Sequence, residues 1–319
     1  MATPASPSSL TFTHMNVNGL SSQREKRKDI FNFLRTYHPS DIYGLVDTRF
    51  QKKQMKSIRM EWGGEIRYSN NVEQASRGVL LSFKRNFDKN KIGHTVSFDH
   101  GNIILQEIVL RSTRLLLVLV YGPNEDSPHF YELLGDAIRT FMKNHEIDAL
   151  ILQGDWNLTI SPTEDTTGYR NNNNNGRARE KLILLMEELD LHDIWRELNP
   201  GTRRYTFKQK NIVSQSDVSS PTYKQGRLDF FLISGNLLPY VTSCCINYGH
   251  RSDHNSISLT IDILNFRRGK GLWKFNTDLI KDPEFLERIN ERILDTQIEY
   301  ACIPYSRQFI KECDSYQRQ

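Results

Sequence analysis

Cysteine is scarce in this chain: Cys244, Cys245, Cys302 and Cys313 are the four in 319 residues, and no two form a CxxC pair. Adjacent cysteines do not easily share a disulfide, so the set excludes a disulfide-stapled secreted scaffold and points to a reducing intracellular compartment. No histidine stands at ligand spacing from a cysteine pair, which argues against a zinc finger. Long apolar runs are also missing. The most apolar stretch, Leu115 to Val120, is six residues long and reads as a buried strand, well short of the ~20 residues a membrane helix needs. Residues Met1 to Leu10 are rich in Pro, Ser and Ala and lack the basic start and apolar centre of a secretory signal. Neither sign of charge dominates: 42 Lys and Arg against 38 Asp and Glu leave a net charge of +4. That balance permits an anionic partner without demanding one and excludes a histone-like polycation.

What is present suffices for a large core. Apolar residues make up 38% of the chain and aromatics 10%, enough for one domain of about 200–260 residues plus an appendage. Strand signals cover Leu10–Met15, Asp41–Val46, Gly78–Phe83, Asn102–Leu110, Arg114–Tyr121 and Ala149–Gln153. Later ones are Tyr205–Lys208, Leu228–Ser234, Val241–Tyr248 and Ser256–Ile263. Helical spacing marks Glu25–Tyr37, Pro128–Asn144 and Arg177–Leu189, the last through Leu182, Leu185, Met186 and Leu189. Many strands with a few helices between them suggest two packed sheets flanked by helices, an α/β architecture. Asn171–Asn175 with Gly176 reads as a surface loop, and the basic run Arg24, Lys26, Arg27 and Lys28 as the solvated face of a helix. A composition break at Arg267–Gly271 marks a linker. Beyond it, Asp282-Pro283 opens a helix carrying Leu286, Ile289 and Ile293 on one face. This tail is too short for its own core. The expected organisation is a flexible start over 1–9, a domain over 10–265, and a linker and helical tail over 266–319.

Chemistry-bearing residues gather at strand ends. Asp155 and Asn157, in Gly154-Asp155-Trp156-Asn157, follow a buried strand, and period-two alternation points both the same way. A carboxylate and an amide there can hold an attacking water and a phosphoryl oxygen together. Ser252-Asp253-His254 precedes another strand. An imidazole beside a carboxylate has its charged form favoured, which suits an anionic phosphate. Adjacent Asp and His side chains diverge, so either another carboxylate orients His254 or Asp253 does so through an unusual turn. Asn16, Asp47 and Tyr121 end three further strands, and Asp229 opens one. A Mg²⁺ ion takes oxygen ligands and keeps several waters, so one or two carboxylates and an amide suffice to hold it. Phosphodiester hydrolysis needs a positioned water, a metal to absorb charge, and donors to the phosphate.

Taken in order, the motifs resemble the exonuclease–endonuclease–phosphatase superfamily, and within it the apurinic-endonuclease-like domain of non-LTR (LINE-type) retrotransposons. The matching segments are Asn16-Val17-Asn18-Gly19-Leu20, Leu45-Val46-Asp47-Thr48-Arg49, Tyr121-Gly122-Pro123-Asn124, Gly154-Asp155-Trp156-Asn157, Arg227-Leu228-Asp229-Phe230 and Ser252-Asp253-His254. The stretches Leu189–Arg196, Asn199-Pro200 with Tyr205-Thr206-Phe207, and Trp273-Lys274-Phe275-Asn276 favour the retrotransposon branch. The resemblance spans about residues 10–276. It implies a four-layered α/β sandwich with the active site at one end of two packed mixed sheets. It also implies roles: Asp47 and Asn16 on Mg²⁺ (or Mn²⁺), Asp155 on the water, and Asn157 at the transition state. Tyr121 and His254 contact the phosphate, and Asp229 and Asp253 complete the ligand and orientation network, with Asp253 the partner of His254. The resemblance implies that the hairpin of the Thr206–Asp229 connection reaches towards the DNA groove; we expect Thr206, Lys208, Lys210, Lys224, Arg227 and Ser252 to contact double-stranded DNA, the lysines and Arg227 on its backbone.

In such elements the nick leaves a 3′-hydroxyl that primes reverse transcription of the element's RNA. No Tyr-x-Asp-Asp motif occurs in the sequence, so a reverse-transcriptase region and the element RNA are expected partners in a longer protein, acting in nucleus and cytoplasm without a membrane. Two departures stand out. The family usually carries Glu where this chain has Asp47, one methylene shorter, and the Thr206–Asp229 connection is longer than in relatives. The alternatives are an apurinic-site repair nuclease or other phosphodiesterase of the same superfamily, and a DNA-binding domain weakened in catalysis at Asp47.

Overall fold

A computed structural model describes residues 9–20, 24–70, 76–98, 101–110, 113–169, 175–210, 223–262 and 281–300, the last six by backbone alone. Most of the Asn171–Asn175 run, the linker at Arg267–Gly271, the Trp273–Asn276 stretch and the centre of the Thr206–Asp229 connection lie outside them. The chain divides into two compact units, 1–271 and 272–319.

The strands of the first unit are β1 (Ser9–Asn16), β2 (Ile42–Val46), β3 (Ile66–Ser69), β4 (Val79–Phe83) and β5 (Ile92–Ser97). Then follow β6 (Ile103–Leu110), β7 (Thr113–Tyr121), β8 (Ala149–Asp155), β9 (Thr166–Thr167) and β10 (Leu191–Asp193). The last are β11 (Phe207–Lys210), β12 (Tyr223–Gly226), β13 (Asp229–Ser234), β14 (Val241–Asn247) and β15 (Ser256–Asp262). Its helices are α1 (Arg24–Tyr37), α2 (Met55–Trp62), α3 (Pro128–Asn144), α4 (Pro162–Asp165), α5 (Gly176–Glu188) and α6 (Ile194–Leu198).

Two mixed six-stranded sheets form, in the orders β14-β15-β1-β2-β4-β3 and β10-β13-β8-β7-β6-β5. Each contains one parallel pair, β1 with β2 and β7 with β8, so the C-terminal ends within each pair lie side by side. Alternation explains why β7 reads as an unbroken apolar run. Leu115, Leu117 and Leu119 join the core shared by the two sheets, while Leu116, Val118 and Val120 meet the helix layer beyond. Ala149 and Ile151 against Leu150 and Leu152 repeat the device in β8.

Tyr131, Leu134, Ile138 and Phe141 of α3, with Leu182 and Leu185 of α5, cover the second sheet. Ile30, Phe31 and Leu34 of α1 and Ile58 and Trp62 of α2 cover the first. The result is the expected four-layered sandwich. The three expected helices of this unit occur within a residue of their expected bounds, whereas α2, α4, α6, β3, β5, β9, β10 and β12 add to the expected set. The basic run on α1 corrects an expectation. Arg24 and Lys28 are exposed, but Lys26 and Arg27 are buried, Arg27 through a two-pronged pair with Glu61 of α2.

In the second unit a helix, α7 (Pro283–Tyr300), starts at the expected Asp-Pro step, and Asp282 Oδ1 accepts the Glu284 backbone N–H at 3.0 Å. No helix among the described residues is long and apolar enough to cross a membrane.

Glu107 on β6 carries a testable consequence. Burial works against its charge, yet the His94 backbone N–H and imidazole and the Arg114 guanidinium hold the carboxyl down to about 2, from 4.5. A depressed carboxyl stabilises the fold above its unfolded value and loses that contribution as pH falls. Between about pH 4.5 and 2 the protein should therefore lose on the order of 1–2 kcal/mol, discounted for the half-exposed Arg114. Glu107→Gln should flatten that limb in urea melts at stepped pH. An unchanged slope would refute the assignment.

Candidate active site

The parallel pairs place the implied residues at one end of both sheets. β1 ends on Asn16, Asp47 follows β2, and the register sets Tyr121 of β7 beside Asp155 of β8 and Asp155 beside Asp229 of β13. The turn before β15 adds Asp253 and His254. A cleft of about 730 Å³ opens there, lined among others by Asn16, Asp47, Tyr121, Asp155, Asn157 and His254. The chain reaches this geometry through left-handed backbone at Asn18, Asp47, Arg49, Asn157 and Arg251, with φ between 45° and 55°. Asp and Asn tolerate that region better than other residues with a Cβ, which suits three of the five positions.

His254 lies at the centre. Its Nδ1 donates to Asp229 Oδ2 at 2.7 Å, and its Nε2 stands 3.9 Å from Asp155 Oδ2. The carboxylate that orients the imidazole is thus Asp229, which corrects the expectation of Asp253. The reason is geometric: Asp253 precedes His254 in an irregular turn and points to the first sheet, where its Oδ1 accepts Asn18 Nδ2 at 3.0 Å. The other oxygen of Asp229 accepts His14 Nε2 at 3.1 Å, so two imidazoles bracket one buried carboxylate. Burial alone would raise Asp229, but these imidazoles hold it well below the usual range. Burial would likewise lower His254, yet Asp229 and Asp155 push it up to about 9, leaving a cation at neutral pH.

Asp155 behaves in the opposite sense. Full burial and the neighbouring Asp229 charge raise it to about 7. Asn16 Nδ2 donates to its Oδ2 at 2.8 Å and the Asn157 backbone N–H to its Oδ1 at 3.0 Å, fixing the carboxylate. Asn157 uses its own amide N–H on the Gly122 carbonyl at 2.8 Å, tying the two strand-end loops together. Burial also raises Tyr121, with Asp47 and Asp155 nearby, so its hydroxyl stays protonated. Ser252 Oγ donates to the Asn16 carbonyl at 2.7 Å and accepts the His254 backbone N–H at 3.2 Å, which makes it a brace of the turn.

Asp47 faces the cleft, raised by burial, with both oxygens taken by Arg49 (Nε 3.1 Å, Nη2 2.6 Å). Asn16, Asp47, Asp155 and Asp253 present a set of hard oxygen donors around one cleft, which fits a Mg²⁺-type cation. Burial first, with Asp229 beside Asp155 and Asp253 near Asp47 adding to it, raises both carboxyls and so favours a counter-cation; on Asp47, Arg49 serves as one.

The expected DNA contacts divide. The β11–β12 hairpin adjoins the cleft, since Phe207 bridges to His254 and the Lys208 backbone N–H donates to the Asp253 carbonyl at 3.1 Å. Lys208 and Lys210 are exposed, and the Lys224 ammonium lies over the Tyr169 and Phe207 rings beside the cleft. Arg227 and Thr206 correct the expectation. Arg227 is 1% exposed, locked between Asp165 (2.8 Å) and Asp193 (2.6 and 3.0 Å), and cannot reach a phosphate. Thr206 is equally buried, its Oγ1 accepting the backbone N–H groups of Leu228 and Asp229 at 3.0 Å. Both shape the start of β13 and hence the place of Asp229.

His14 and Arg49 also belong to the site, although the sequence motifs assign neither of them a role. His14 sits two residues before Asn16 on one strand, so period-two alternation carries the signal. Arg49 lies inside a matching segment, but its pairing back to Asp47 depends on left-handed backbone at both residues, which no local pattern reveals.

No family model matches the chain. A transposon TX1 protein of 149 kDa from Xenopus laevis, itself uncharacterised, is 26% identical over 284 residues, covering 88% of this chain. The chain spans about a fifth of that relative's length. An AP endonuclease from Leishmania major has the same fold, with a TM-score of 0.64 at 17% identity, covering 80% of this chain and 88% of its own. An AP endonuclease from Archaeoglobus fulgidus gives 0.61 at 17%, covering 80% of this chain and all of its own. A 3′ phosphatase from Neisseria, solved with product DNA, gives 0.60 at 18%, covering 79% and 99%. Kinship in sequence to a transposon protein and in fold to AP endonucleases bears out the resemblance to the apurinic-endonuclease-like domains of LINE-type retrotransposons.

Proposed function

We propose that this chain is a Mg²⁺-dependent endonuclease that nicks double-stranded DNA by phosphodiester hydrolysis, leaving a 3′-hydroxyl. One observation carries the reading. A cationic His254, pinned by Asp229, faces a carboxylate of opposite tendency, Asp155, across 3.9 Å in an acid-lined cleft. Two neighbouring groups pushed apart in this way suit an acid–base division of labour.

Asp155, raised to about 7, accepts the proton of an attacking water whose position it shares with the Asn16 amide. His254 presents a protonated Nε2 to a phosphoryl oxygen as negative charge builds there. The protonated Tyr121 hydroxyl, on the strand beside Asp155, adds a donor. A Mg²⁺ held by Asn16 and Asp47 would supply Lewis-acid charge stabilisation when bound. In a supercoiled-plasmid assay, Mg²⁺ should convert the substrate to open circles and EDTA should abolish the conversion; nicking that persists in EDTA would refute metal dependence.

An abasic-site nuclease is the rival within the same fold. The cleft wall is mainly polar, with Phe207, Leu158 and Leu228 its aliphatic and phenyl members, and this favours intact backbone over a flipped apolar lesion. Undamaged and abasic duplexes cleaved side by side separate the two. The kinship with a transposon protein supports a role for the nick in priming reverse transcription, with the element RNA and a reverse-transcriptase region as partners in the longer protein.

The shorter Asp47 is suited to its φ of 53°. Asp47→Glu should extend the carboxylate toward the cation and lower the Mg²⁺ concentration for half-maximal nicking several-fold, while destabilising the fold by roughly 1 kcal/mol. An unchanged Mg²⁺ requirement would remove Asp47 from the metal.

Lys208, Lys210 and Lys224 neutralise backbone phosphates in this reading. Their joint replacement by Ala should reduce the salt slope of DNA binding by about 1 for each phosphate left without its cation. Deleting Asn211–Tyr223 should alter the pattern of nick sites; an unaltered pattern would deny the hairpin a part in target choice.

A further inference from the structure

Away from the cleft, a second group of ligating side chains converges at the outer edge of the second sheet. β5 is the edge strand, and its register against β6 shifts between Ile92 and Thr95. Such an irregularity re-aims a side chain, here His94, toward Glu107. Glu107 Oε2 accepts both the His94 backbone N–H (3.0 Å) and the His94 Nδ1 proton (2.8 Å), while Oε1 accepts Arg114 Nη1 at 2.6 Å. A Cβ on Gly93 would lie 2.3 Å from Oε2, so the bare backbone at that position is what lets the carboxylate sit where it does. From the helix layer comes His145, which closes the C-terminal end of α3 and sets its ring 4.3 Å from that of His94. One ligand atom from each of His94, Glu107 and His145 falls within a span of 4.8 Å.

We propose that His94, Glu107 and His145 form a second cation site, separate from the reaction centre, that takes a borderline transition-metal ion of the Zn²⁺ class. The donor set decides the class. Two imidazoles and one carboxylate match Zn²⁺ and its neighbours, whereas Mg²⁺ and Ca²⁺ prefer oxygen throughout. Tetrahedral ligands at about 2.0–2.1 Å from an ion stand roughly 3.3–3.4 Å apart. The observed span is wider by a margin that rotation of one ring can close. His94 is free to make that rotation, being 65% exposed, while Glu107 at 1% is held in place.

On binding, His94 gives up its Nδ1 proton to solvent while Nε2 carries the one ring proton, so the ring stays a neutral imidazole, and the Nδ1 lone pair and Oε2 turn from each other to the ion. Arg114 on Oε1 then acts as the supporting partner that orients the carboxylate. The partial negative charge at the end of α3 favours a cation at His145. The exposed side remains open to a water as fourth ligand. Such an ion ties the edge strand β5, whose side chains are half-buried to exposed, to the helix layer.

The reaction centre also holds a His and two Asp whose ligand atoms cluster, so the test must separate the two places. The full chain is titrated with Zn²⁺ in millimolar Mg²⁺ by calorimetry, with melting followed in parallel, and Co²⁺ absorption reports the ligand field. Compared are the unmodified protein, His94→Ala/His145→Ala, and His254→Ala. Both surface histidines should be replaceable without unfolding, which melting in EDTA checks; His145→Gln alone serves if the double variant melts early.

The expected result is one Zn²⁺ equivalent and a Tm rise of roughly 5 °C, at an excess of about 100 times Kd. Both should be lost in the double variant and kept in His254→Ala. Equal binding by the double variant, or loss of that equivalent in His254→Ala alone, overturns the proposal.

Discussion

His254→Ala is expected to slow plasmid nicking by roughly 10²–10⁴-fold while leaving the protein folded. The His254 imidazole is a buried cation that faces both Asp229 and Asp155, and its removal acts twice. The phosphoryl oxygen loses a charged donor, and Asp155 loses a charge that opposes its upward shift. Folding should survive because Asp229 keeps His14 as a partner at 3.1 Å. Asp229→Asn is the companion variant. Without that carboxylate, burial is opposed mainly by Asp155 and pulls His254 down from about 9, so its protonated form should be lost at lower pH. The alkaline limb of the nicking profile should therefore move to lower pH. Nicking by His254→Ala within a few-fold of the unmodified rate would sink the site assignment.

The largest effect on stability should come from Arg227. This side chain is enclosed by Asp165 and Asp193, stacked near Trp195 and Phe230, and held charged: burial opposes the guanidinium, but the two carboxylates outweigh it. Removing one partner of a buried ionic group strands the others, at a cost of about 3–5 kcal/mol. Arg227→Ala should therefore lower Tm by roughly 6–20 °C. Arg196, whose Nη2 lies 2.5 Å from Asp165, leaves Asp193 as the more vulnerable of the two carboxylates. Adding Asp193→Asn to an Arg227→Met background should recover part of the deficit, and a Tm within about 2 °C of the unmodified protein for Arg227→Ala would refute the network. Because Arg227 and Thr206 lead into β13, nicking should also fall in any folded Arg227 variant through misplacement of Asp229.

Arg227 and His254 show where local reading stops. Arg227 and Lys224 are both basic residues in one polar connection, and nothing in their neighbours separates them. Asp165 lies 62 residues away from Arg227 and Asp193 lies 34, and only when α4 and β10 are brought to β13 does Arg227 become an internal group. The same holds for His254. Adjacency makes Asp253 its candidate partner, yet neighbouring side chains diverge, and the partner stands 25 residues back on another strand. Helix α2 is a different case: Met55, Ile58 and Trp62 recur at helical spacing, a pattern present in the sequence although no helix was expected there. Edge strand β5 carries little alternation because little of it is buried, and β3 is four residues long with its buried members at the two ends, too short to show a period.

Sequence by itself determined the layers and the end of the sheets at which the polar residues gather. Burial on one or both faces imposes a period that can be counted along the chain, and strands must end where polar turn residues stand. Tertiary structure alone decided which carboxylate answers which basic side chain: Asp229 for His254 and His14, Asp165 and Asp193 for Arg227, Asp47 for Arg49. Charge pairing depends on distance in space and on the water excluded between partners, and neither quantity is written along the chain.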